Sequence, residues 1–293
     1  MKKCWCGNEE LKEYSADYNV CNSCRTLITK EEIINSITNV ADEENDLYGI
    51  NYWESKMLSL SKESDTNALI QSYLKGRVPY WTHYILKYIP LNHKIAEIGG
   101  GLGSLSYFLK FIGYRGDIYE LSPSICQFLE NEMGLNAICG ELGSRDESYD
   151  SILAFDLFEH LLEPSAFLQD CKNRLFSEKG VLCLQTPCYN PEWSYEEMLV
   201  NFPAFKELLL PKEHIFIYSK ESIEKFLKLY GFGSIYYEKP AFGEYYDMFL
   251  FASEQPIEMI DNEKIGLELR KQNNWRVAEI VLEFFERLNG QFK

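Results

Sequence analysis

Short apolar runs alternate with amphipathic segments over most of the chain. An apolar run of roughly four to eight residues is typical of a buried strand, whereas apolar positions spaced three and four apart indicate a helix. The predicted strands are Ile95–Ile98, Asp117–Tyr119, Ala137–Cys139, Ser151–Phe155, Val181–Leu184, Ser234–Tyr237 and Tyr246–Phe251. The predicted helices are Leu69–Ile89, Ser104–Ile112, Pro123–Met133, Pro164–Phe176 and Ser219–Tyr230. This alternation predicts an α/β fold, with a mostly parallel sheet covered by helices on both faces.

The pattern also divides the chain into four segments. Residues 1–45 are polar and rich in cysteine, and we interpret them as a small separate module. Residues 46–67 are interpreted as a linker or cap segment, and 68–255 as the α/β domain, with an aromatic lid insertion at about 187–214. Residues 256–293 are predicted to be a helical tail, because apolar side chains there fall on one helix face, namely Val277, Ile280, Val281, Phe284 and Leu288.

Charge and cysteine content narrow the class of protein. The formal net charge of −16 would repel a phosphate backbone or an anionic membrane surface, so we expect no nucleic-acid partner. The sequence contains neither the apolar core of a signal peptide nor an apolar run long enough to span a bilayer, which predicts a cytoplasmic protein without membrane insertion. Nine cysteines are an odd number, and several lie in apolar runs, so a disulfide scaffold is not expected.

A glycine-rich turn follows the first predicted strand. Residues 95–104 have the sequence Ile-Ala-Glu-Ile-Gly-Gly-Gly-Leu-Gly-Ser, which is a strand, a turn and a helix start. A dinucleotide fingerprint would place its third glycine at Ser104, whereas here it comes one residue earlier, at Gly103. The Glu-x-Gly-x-Gly-x-Gly pattern of Glu97, Gly99, Gly101 and Gly103 indicates an S-adenosylmethionine site.

Two acidic residues follow the next two predicted strands. Glu120 ends the strand that begins at Asp117, and an acid there can accept hydrogen bonds from both ribose hydroxyls. Glu141 follows the third strand and is interpreted either as the partner of the adenine amino group or as a solvated turn residue. The two acids strengthen the prediction that the glycine turn binds an adenosyl group.

These motifs resemble class I methyltransferases over about residues 68–255. The resemblance includes the segment "DLFEHL" at 156–161, which matches the family pattern D-x-x-E-H-L after the fourth strand. It implies a Rossmann-like sheet of seven strands, mostly parallel with the last strand antiparallel, and S-adenosylmethionine as the cofactor. The residues expected at the cofactor are Tyr52, Arg77, Glu97, Gly99, Gly101, Gly103, Glu120, Leu121, Glu141, Leu142, Phe155 and Asp156.

More narrowly, the chain is similar to a bacterial group of methyltransferases encoded with surface-polysaccharide genes. The similarity rests on the Cys-rich start, "DLYGINYW" at 46–53, "QTPCYNPEWSYEEM" at 185–198 and "EYYDMFLFAS" at 244–253. It implies O-methylation of a sugar or an activated small precursor in the biosynthesis of capsule or O-antigen glycans. The substrate would then be a small molecule: a sugar, a nucleotide-activated precursor or a phosphate-type group.

Four cysteines in the first segment can supply thiolates to one metal ion. Cys4, Cys6, Cys21 and Cys24 would complete a closed tetrahedral zinc site, which would be structural because no coordination position stays open. A module of this size has too little core to fold without such a crosslink. The expected result is a zinc-ribbon-like module, and the alternative is a flexible arm with ordinary reduced cysteines.

Methyl transfer to a hydroxyl requires a base, and histidine is the side chain that titrates near neutral pH. His160 follows the fourth strand and His214 lies in the insertion, so these two are the candidate bases, with Glu159 as a possible helper of His160. The alternative for each is a hydrogen-bonded structural histidine. His83 is interpreted as a packed helix residue and His93 as a surface residue.

Other functions stay open at this point. The acceptor atom could instead be a phosphate or phosphoramidate oxygen, a sugar carbon or an amine. A non-catalytic protein that binds a nucleotide and recruits partners is the alternative of another class, although such a protein would have no need of both the glycine turn and Glu120. An NAD-dependent oxidoreductase is disfavoured by Ser104. The oligomeric state is not predicted.

Overall fold

The structure is a computed structural model that describes residues 4–34, 48–57, 62–240, 243, 245–274 and 276, with the backbone alone at 56 and 57. The predicted tail helix, with Val277, Ile280, Val281, Phe284 and Leu288, lies outside the described residues, as do parts of the predicted linker. Among the described residues, no helix is long and apolar enough to span a bilayer.

A seven-stranded sheet forms the centre of the fold, in the order β10-β11-β8-β7-β4-β5-β6. Its strands are β4 Lys94–Ile98, β5 Arg115–Glu120, β6 Ala137–Cys139, β7 Ser151–Phe155, β8 Val181–Pro187, β10 Ser234–Glu238 and β11 Asp247–Ser253. The pairs β4 with β5 and β5 with β6 are parallel, whereas β11 runs antiparallel to both β8 and β10. The predicted Rossmann-like fold with an antiparallel last strand is therefore confirmed.

Helices connect these strands and begin where the sequence supplies capping residues. Their bounds are α1 Glu31–Ile34, α2 Ile50–Tyr52 followed by a π-helical turn Trp53–Met57, α3 Thr66–Lys75, α4 Arg77–Tyr88, α5 Ser104–Ile112, α6 Pro123–Asn131, α7 Pro164–Arg174, α8 Tyr195–Asn201, α9 Phe205–Leu208, α10 Lys220–Leu229 and α11 Asn262–Arg270. The hydroxyl of Ser122 accepts a 3.2 Å hydrogen bond from the amide of Ile125, and Pro123 occupies the first turn of α6, where its missing N–H costs nothing.

The predicted continuous helix Leu69–Ile89 is two helices, α3 and α4, which meet at Gly76. In one continuous helix, the nitrogen of Pro79 would have to donate to the carbonyl of Lys75, and proline has no N–H to do so. Gly76 adopts φ −117° and ψ −97°, outside the helical region, and the break places Pro79 in the first turn of α4. The prediction of a single helix was wrong for this reason.

The chain divides into two compact units. One contains Asn39–Leu153 and Ile257–Lys293. Its core includes Leu102, Ile118, Ile125 and Leu129, which fix the segment between β4 and α5 against β5 and α6. The packing of this unit therefore determines the shape of the glycine turn.

The other unit contains Met1–Thr38 and Ala154–Pro256. The Cys-rich segment contributes three short strands, β1 Leu11–Glu13, β2 Tyr18–Cys21 and β3 Leu27–Thr29, and β3 pairs antiparallel with β9 Phe216–Ile217. Behind this small sheet, buried side chains of the Cys-rich segment and of the aromatic insertion share one core. The four-segment division made from the sequence stays a prediction.

Candidate functional site

The glycine turn after β4 forms as the sequence indicates. Gly99, Gly101 and Gly103 have φ angles of +67°, +52° and +74°, a region in which side chains other than glycine are strained. The turn leads directly into α5, so the backbone amides of the helix start lie at the carboxyl end of β4. A helix N-terminus after such a turn is suited to bind a negatively charged or polar ligand group.

The indole of Trp53 lies against this turn. A Cβ atom placed on Gly101 would come within 2.6 Å of Trp53 Cζ2, so the ring and the glycine backbone are in direct contact. The segment that carries Trp53 is attached to α6 by a hydrogen bond, in which the amide of Ile50 donates to the hydroxyl of Ser124 at 3.0 Å. Tyr52, which the sequence analysis placed at the cofactor, packs edge-on against Trp53 with ring centroids 5.8 Å apart.

The carboxylate of Glu120 faces the glycine turn. Its Oε2 accepts a hydrogen bond from the amide of Gly101 at 3.3 Å, and its Oε1 accepts from the amides of Leu121 at 2.8 Å and Ser122 at 3.3 Å. Three backbone donors fix the direction of both carboxylate oxygens. Glu120, which is predicted to bind the ribose, therefore lies beside the glycine turn.

Glu97 lies beneath the turn and is buried, with 4% of its surface exposed. Burial raises the pKa of its carboxyl from 4.5 to about 7, while hydrogen bonds from Ser106 oppose the rise and the charge of Glu120 adds to it. The hydroxyl of Ser106 donates to Glu97 Oε2 and connects β4 to α5. The sequence analysis did not identify Ser106, whose position on the buried face of α5 was the available signal.

The remaining predicted cofactor residues take varied positions. Glu141 is exposed at the start of a 3₁₀ turn, and Leu142 beside it is buried. The guanidinium of Arg77 lies 4.7 Å from the ring centroid of Tyr73 and also near Trp81, a cation–π arrangement.

At the end of β7, Phe155 is buried and Asp156 is exposed with φ +48°. The amide of Asp156 donates to both the backbone and the side-chain oxygens of Gln185, each at 3.1 Å. Gln185 is 1% exposed, and its amide nitrogen donates to Asp247 at 3.3 Å. This chain of bonds holds Asp156 in its uncommon backbone conformation.

The two candidate bases lie together in the unit that contains the Cys-rich segment. The imidazoles of His160 and His214 have ring centroids 4.9 Å apart, and Glu159 Oε1 lies 3.7 Å from His160 Nε2. Glu159 is 1% exposed, and burial raises the pKa of its carboxyl, with a further rise from the charge of Asp156. The hydroxyl of Thr186 donates to Glu159 Oε2 at 2.9 Å. Sequence reasoning missed this contact because the predicted strand ended at Leu184.

The four N-terminal cysteines converge. Their sulfur atoms all lie within 4.8 Å of one another, with Cys4 Sγ 3.4 Å from Cys24 Sγ and Cys6 Sγ 3.6 Å from Cys21 Sγ. The hydrogen bond from Cys4 lowers the pKa of the Cys24 thiol, and Thr26 lowers it further. All nine cysteines are free, so no disulfide competes for these sulfurs. Four converging thiols fit a tetrahedral metal site.

The chain is similar to a known protein family in sequence and to solved proteins in structure. A family model described as a methyltransferase domain matches residues 70–236. A chain of the Haloferax volcanii complex that contains the Trm112 methyltransferase activator is similar in structure, with a TM-score of 0.50, 11% identity and coverage of 64% of this chain and 94% of that one.

The magnesium protoporphyrin IX methyltransferase of Synechocystis PCC 6803, solved with bound SAM, gives a TM-score of 0.49 at 17% identity and covers 74% of this chain and 100% of its own. Identities this low indicate similarity of fold alone. No curated protein matches the sequence. Since the family model spans more than half of the chain, the protein belongs to the methyltransferase-domain family.

Proposed function

We propose that this protein transfers a methyl group from S-adenosylmethionine to a hydroxyl oxygen of a sugar or an activated small precursor in surface-glycan biosynthesis. The choice of S-adenosylmethionine is supported by the contact between Glu120 and the glycine turn, in which Glu120 Oε2 lies 3.3 Å from the amide of Gly101. The class of acceptor rests on the resemblance to the polysaccharide-associated group.

The cofactor half of the proposal follows from hydrogen-bonding capacity. Each oxygen of a carboxylate can accept more than one hydrogen bond, so ribose hydroxyls can bind Glu120 while the backbone amides keep it oriented. The positive-φ glycines let the ligand approach the backbone closely. Trp53 contacts Gly101 directly, so we expect its ring to border the bound cofactor or to move when the cofactor enters.

The remaining cofactor residues are proposed from their positions along the chain. Glu141 and Leu142 would lie at the adenine, Phe155 and Asp156 beside the cofactor at the end of β7, and Tyr52 at the methionine portion. Arg77 would bind either the methionine carboxylate or a phosphate of the substrate. Each proposal makes the same simple prediction, that substitution weakens binding of the cofactor. Glu130 provides a control for these substitutions, because it is an exposed acid on α6 and does not belong to this set.

The proton of the acceptor hydroxyl would be taken by the cluster of Glu159, His160 and His214. An imidazole is a suitable general base near neutral pH, and the buried carboxyl of Glu159 orients its neighbour His160 at 3.7 Å. Because methyl transfer is an in-line displacement, alignment of the two substrates matters more than strong acid or base chemistry. We propose His160 and His214 as the residues that contact the acceptor.

We also propose that Cys4, Cys6, Cys21 and Cys24 bind structural zinc. Two hydrogen bonds to the sulfur atoms support this assignment, since Asn8 Nδ2 lies 3.5 Å from Cys21 Sγ and Thr26 Oγ1 lies 3.2 Å from Cys24 Sγ. With four protein ligands, the ion would have no open position and would stabilise the Cys-rich module without taking part in methyl transfer.

Calorimetric titration with S-adenosylmethionine and, separately, with NAD tests the cofactor assignment. We expect S-adenosylmethionine alone to bind, Glu120→Ala to abolish the binding and Glu130→Ala to leave it unchanged. Binding of NAD, or of neither compound, would refute the proposal. Methyl transfer from labelled S-adenosylmethionine to a panel of nucleotide-activated sugars then separates an enzyme from a non-catalytic binding protein, and product analysis separates oxygen from carbon, nitrogen or phosphate-type acceptors.

A further inference from the structure

Glu159, His160 and His214 have the composition and arrangement of a second metal site. One oxygen or ring nitrogen from each residue lies within 4.8 Å of the others. Glu159 and His160 belong to the 3₁₀ turn after β7, and His214 precedes β9. The amide of Ile215 donates to the carbonyl of Glu159 at 2.8 Å, so the backbone itself holds the two segments side by side.

Hydrogen bonds from neighbouring groups fix the orientation of His214 and Glu159. His214 Nδ1 lies 2.7 Å from the carbonyl of Leu208, and donation to that carbonyl leaves Nε2 as the unprotonated nitrogen of the neutral ring. Thr186 donates to Glu159 Oε2, while Oε1 is the oxygen nearest to His160. Imidazoles and carboxylates that bind a metal usually form a hydrogen bond of this kind on the side away from the ion.

Ionisation of the buried carboxyl of Glu159 requires a compensating positive charge. Glu159 is 1% exposed, and within the described part of the chain its ion-pair partner is His160, a residue that is uncharged unless protonated. Asp156 adds negative charge nearby. A divalent ion would compensate the buried carboxylate and use both imidazole lone pairs at once, whereas a single proton serves only one of these groups.

We propose that Glu159, His160 and His214 bind one divalent transition-metal ion. Two imidazoles and one carboxylate favour ions such as Zn²⁺, Co²⁺, Mn²⁺ or Fe²⁺ over Mg²⁺ and Ca²⁺, which prefer oxygen ligands alone. Three protein ligands leave at least one coordination position open, in contrast to the four-thiolate site. The site stands on this geometry, while its use in catalysis rests on the proposed function.

Within that function, the open position would bind the acceptor oxygen. Coordination would lower the pKa of the acceptor hydroxyl and so allow its proton to pass to water. The oxygen would form its bond to the methyl carbon as the bond from that carbon to sulfur breaks, and S-adenosylhomocysteine would leave with the bonding electron pair. The acceptor would then be a hydroxyl that can coordinate a metal. His160 and His214 would act as metal ligands and would not serve as general bases.

The test is a titration of the metal-free, reduced full-length protein with Co²⁺, followed by absorption spectroscopy and calorimetry. Thiolate-bound Co²⁺ produces an intense charge-transfer band, whereas a site of imidazole and carboxylate produces only weak bands. We expect both kinds of site in the unaltered protein. The weak-band site should disappear in His214→Asn and in His160→Asn, remain in His93→Asn, and bind about tenfold to a hundredfold more weakly in Thr186→Val.

Binding of Co²⁺ to the cysteines alone, or weak bands that persist in both ligand variants, would overturn the proposal. His160 is partly exposed, so His160→Asn is the variant expected to fold even if His214→Asn does not. Calorimetry with S-adenosylmethionine on the same samples keeps the two conclusions apart. A protein that binds Co²⁺ at this cluster but not the cofactor would refute the proposed function and leave the metal site standing.

Discussion

The side-chain hydroxyl of Tyr18 donates a 2.9 Å hydrogen bond to the backbone carbonyl of His214. The hydroxyl of Thr29 donates to the same carbonyl at 3.1 Å, and both donor residues are almost completely buried. Two strands of the Cys-rich segment therefore fix the backbone of one residue in the histidine cluster. Cys21 ends one of these strands and Cys24 lies in the turn between them, so the cysteine cluster and the histidine cluster are connected through the same two strands of their unit.

This arrangement predicts a non-additive pair of substitutions. Tyr18→Phe and Thr29→Val should each lower the free energy of unfolding by about 1 kcal/mol, because the other hydroxyl still satisfies the carbonyl. The double variant leaves a buried carbonyl without a side-chain donor and should lose about 1–3 kcal/mol beyond the sum. Urea unfolding of all four proteins at saturating Zn²⁺ measures the coupling. Strictly additive losses would show that the shared carbonyl is not what links the two residues.

The contact between Gly101 and Trp53 predicts the result of adding a methyl group. Gly101→Ala introduces strain at φ +52° and a clash with the indole at 2.6 Å, so it should both destabilise the unit and weaken binding of S-adenosylmethionine. Gly134→Ala is the matched control, since Gly134 has φ +60° and nothing within 4 Å of the added Cβ.

We expect Gly134→Ala to cost about 1 kcal/mol from backbone strain alone and to leave cofactor binding unchanged. Gly101→Ala should cost more, and adding Trp53→Ala should recover the excess, because it removes the clash and not the strain. Chemical denaturation and calorimetry on the three variants separate the two effects. Equal losses at the two glycines would show that the indole does not constrain the turn.

Much of the central sheet could be predicted because its strands are continuous apolar runs. The bounds of β6, β7 and α5 agree with the prediction residue for residue. The end of β8 was missed because Gln185 and Thr186 are polar and mark a strand end in a pattern of apolar residues. In the structure the side chain of Gln185 donates a hydrogen bond to Asp247, and that of Thr186 donates one to Glu159. Both partners are distant in the sequence, so these hydrogen bonds depend on the tertiary structure.

The small sheet of the Cys-rich segment could not be predicted in the same way. Its strands are two to four residues long, which is too short for a period to be recognised. β3 gains its partner β9 from a part of the chain far away in the sequence, so no local signal exists. The convergence of Cys4 with Cys24 was nevertheless predicted, because the expected tetrahedral zinc site would bring four thiolates together independently of the strand pairing.

The cysteine cluster makes its own prediction about stability. Cys24→Ser should remove the thiolate-bound metal and lower the thermal midpoint, because a closed metal site contributes directly to folding. Cys139→Ser changes an exposed cysteine outside the cluster and should leave both properties unchanged. The charge-transfer band of Co²⁺ and the thermal unfolding curve provide the two measurements. A Cys24→Ser protein with an unaltered band and midpoint would show that Cys24 is not a metal ligand. If the unaltered protein has no band at all, the cysteines do not bind Co²⁺.

The buried carboxyl of Glu97 predicts how stability depends on pH. Its pKa is about 7 in the folded protein against 4.5 for an unperturbed carboxyl, so the folded state holds the proton more tightly over that interval. The stability contributed by the protonated group is complete below the lower value and is lost as the pH rises through the upper one. The shift corresponds to a loss of about 3 kcal/mol for this group.

Glu97→Gln should remove that dependence, because the amide keeps the shape and the hydrogen bond to Ser106 without a charge to bury. The variant should lose less stability than the unaltered protein between pH near 5 and pH near 8, and Glu130→Gln, which alters an exposed acid, should behave like the unaltered protein. Urea unfolding at the two pH values gives the comparison. If all three proteins show the same pH dependence, Glu97 is ionised in the folded state at both values, and the carboxylate must then have a compensating partner beneath the glycine turn.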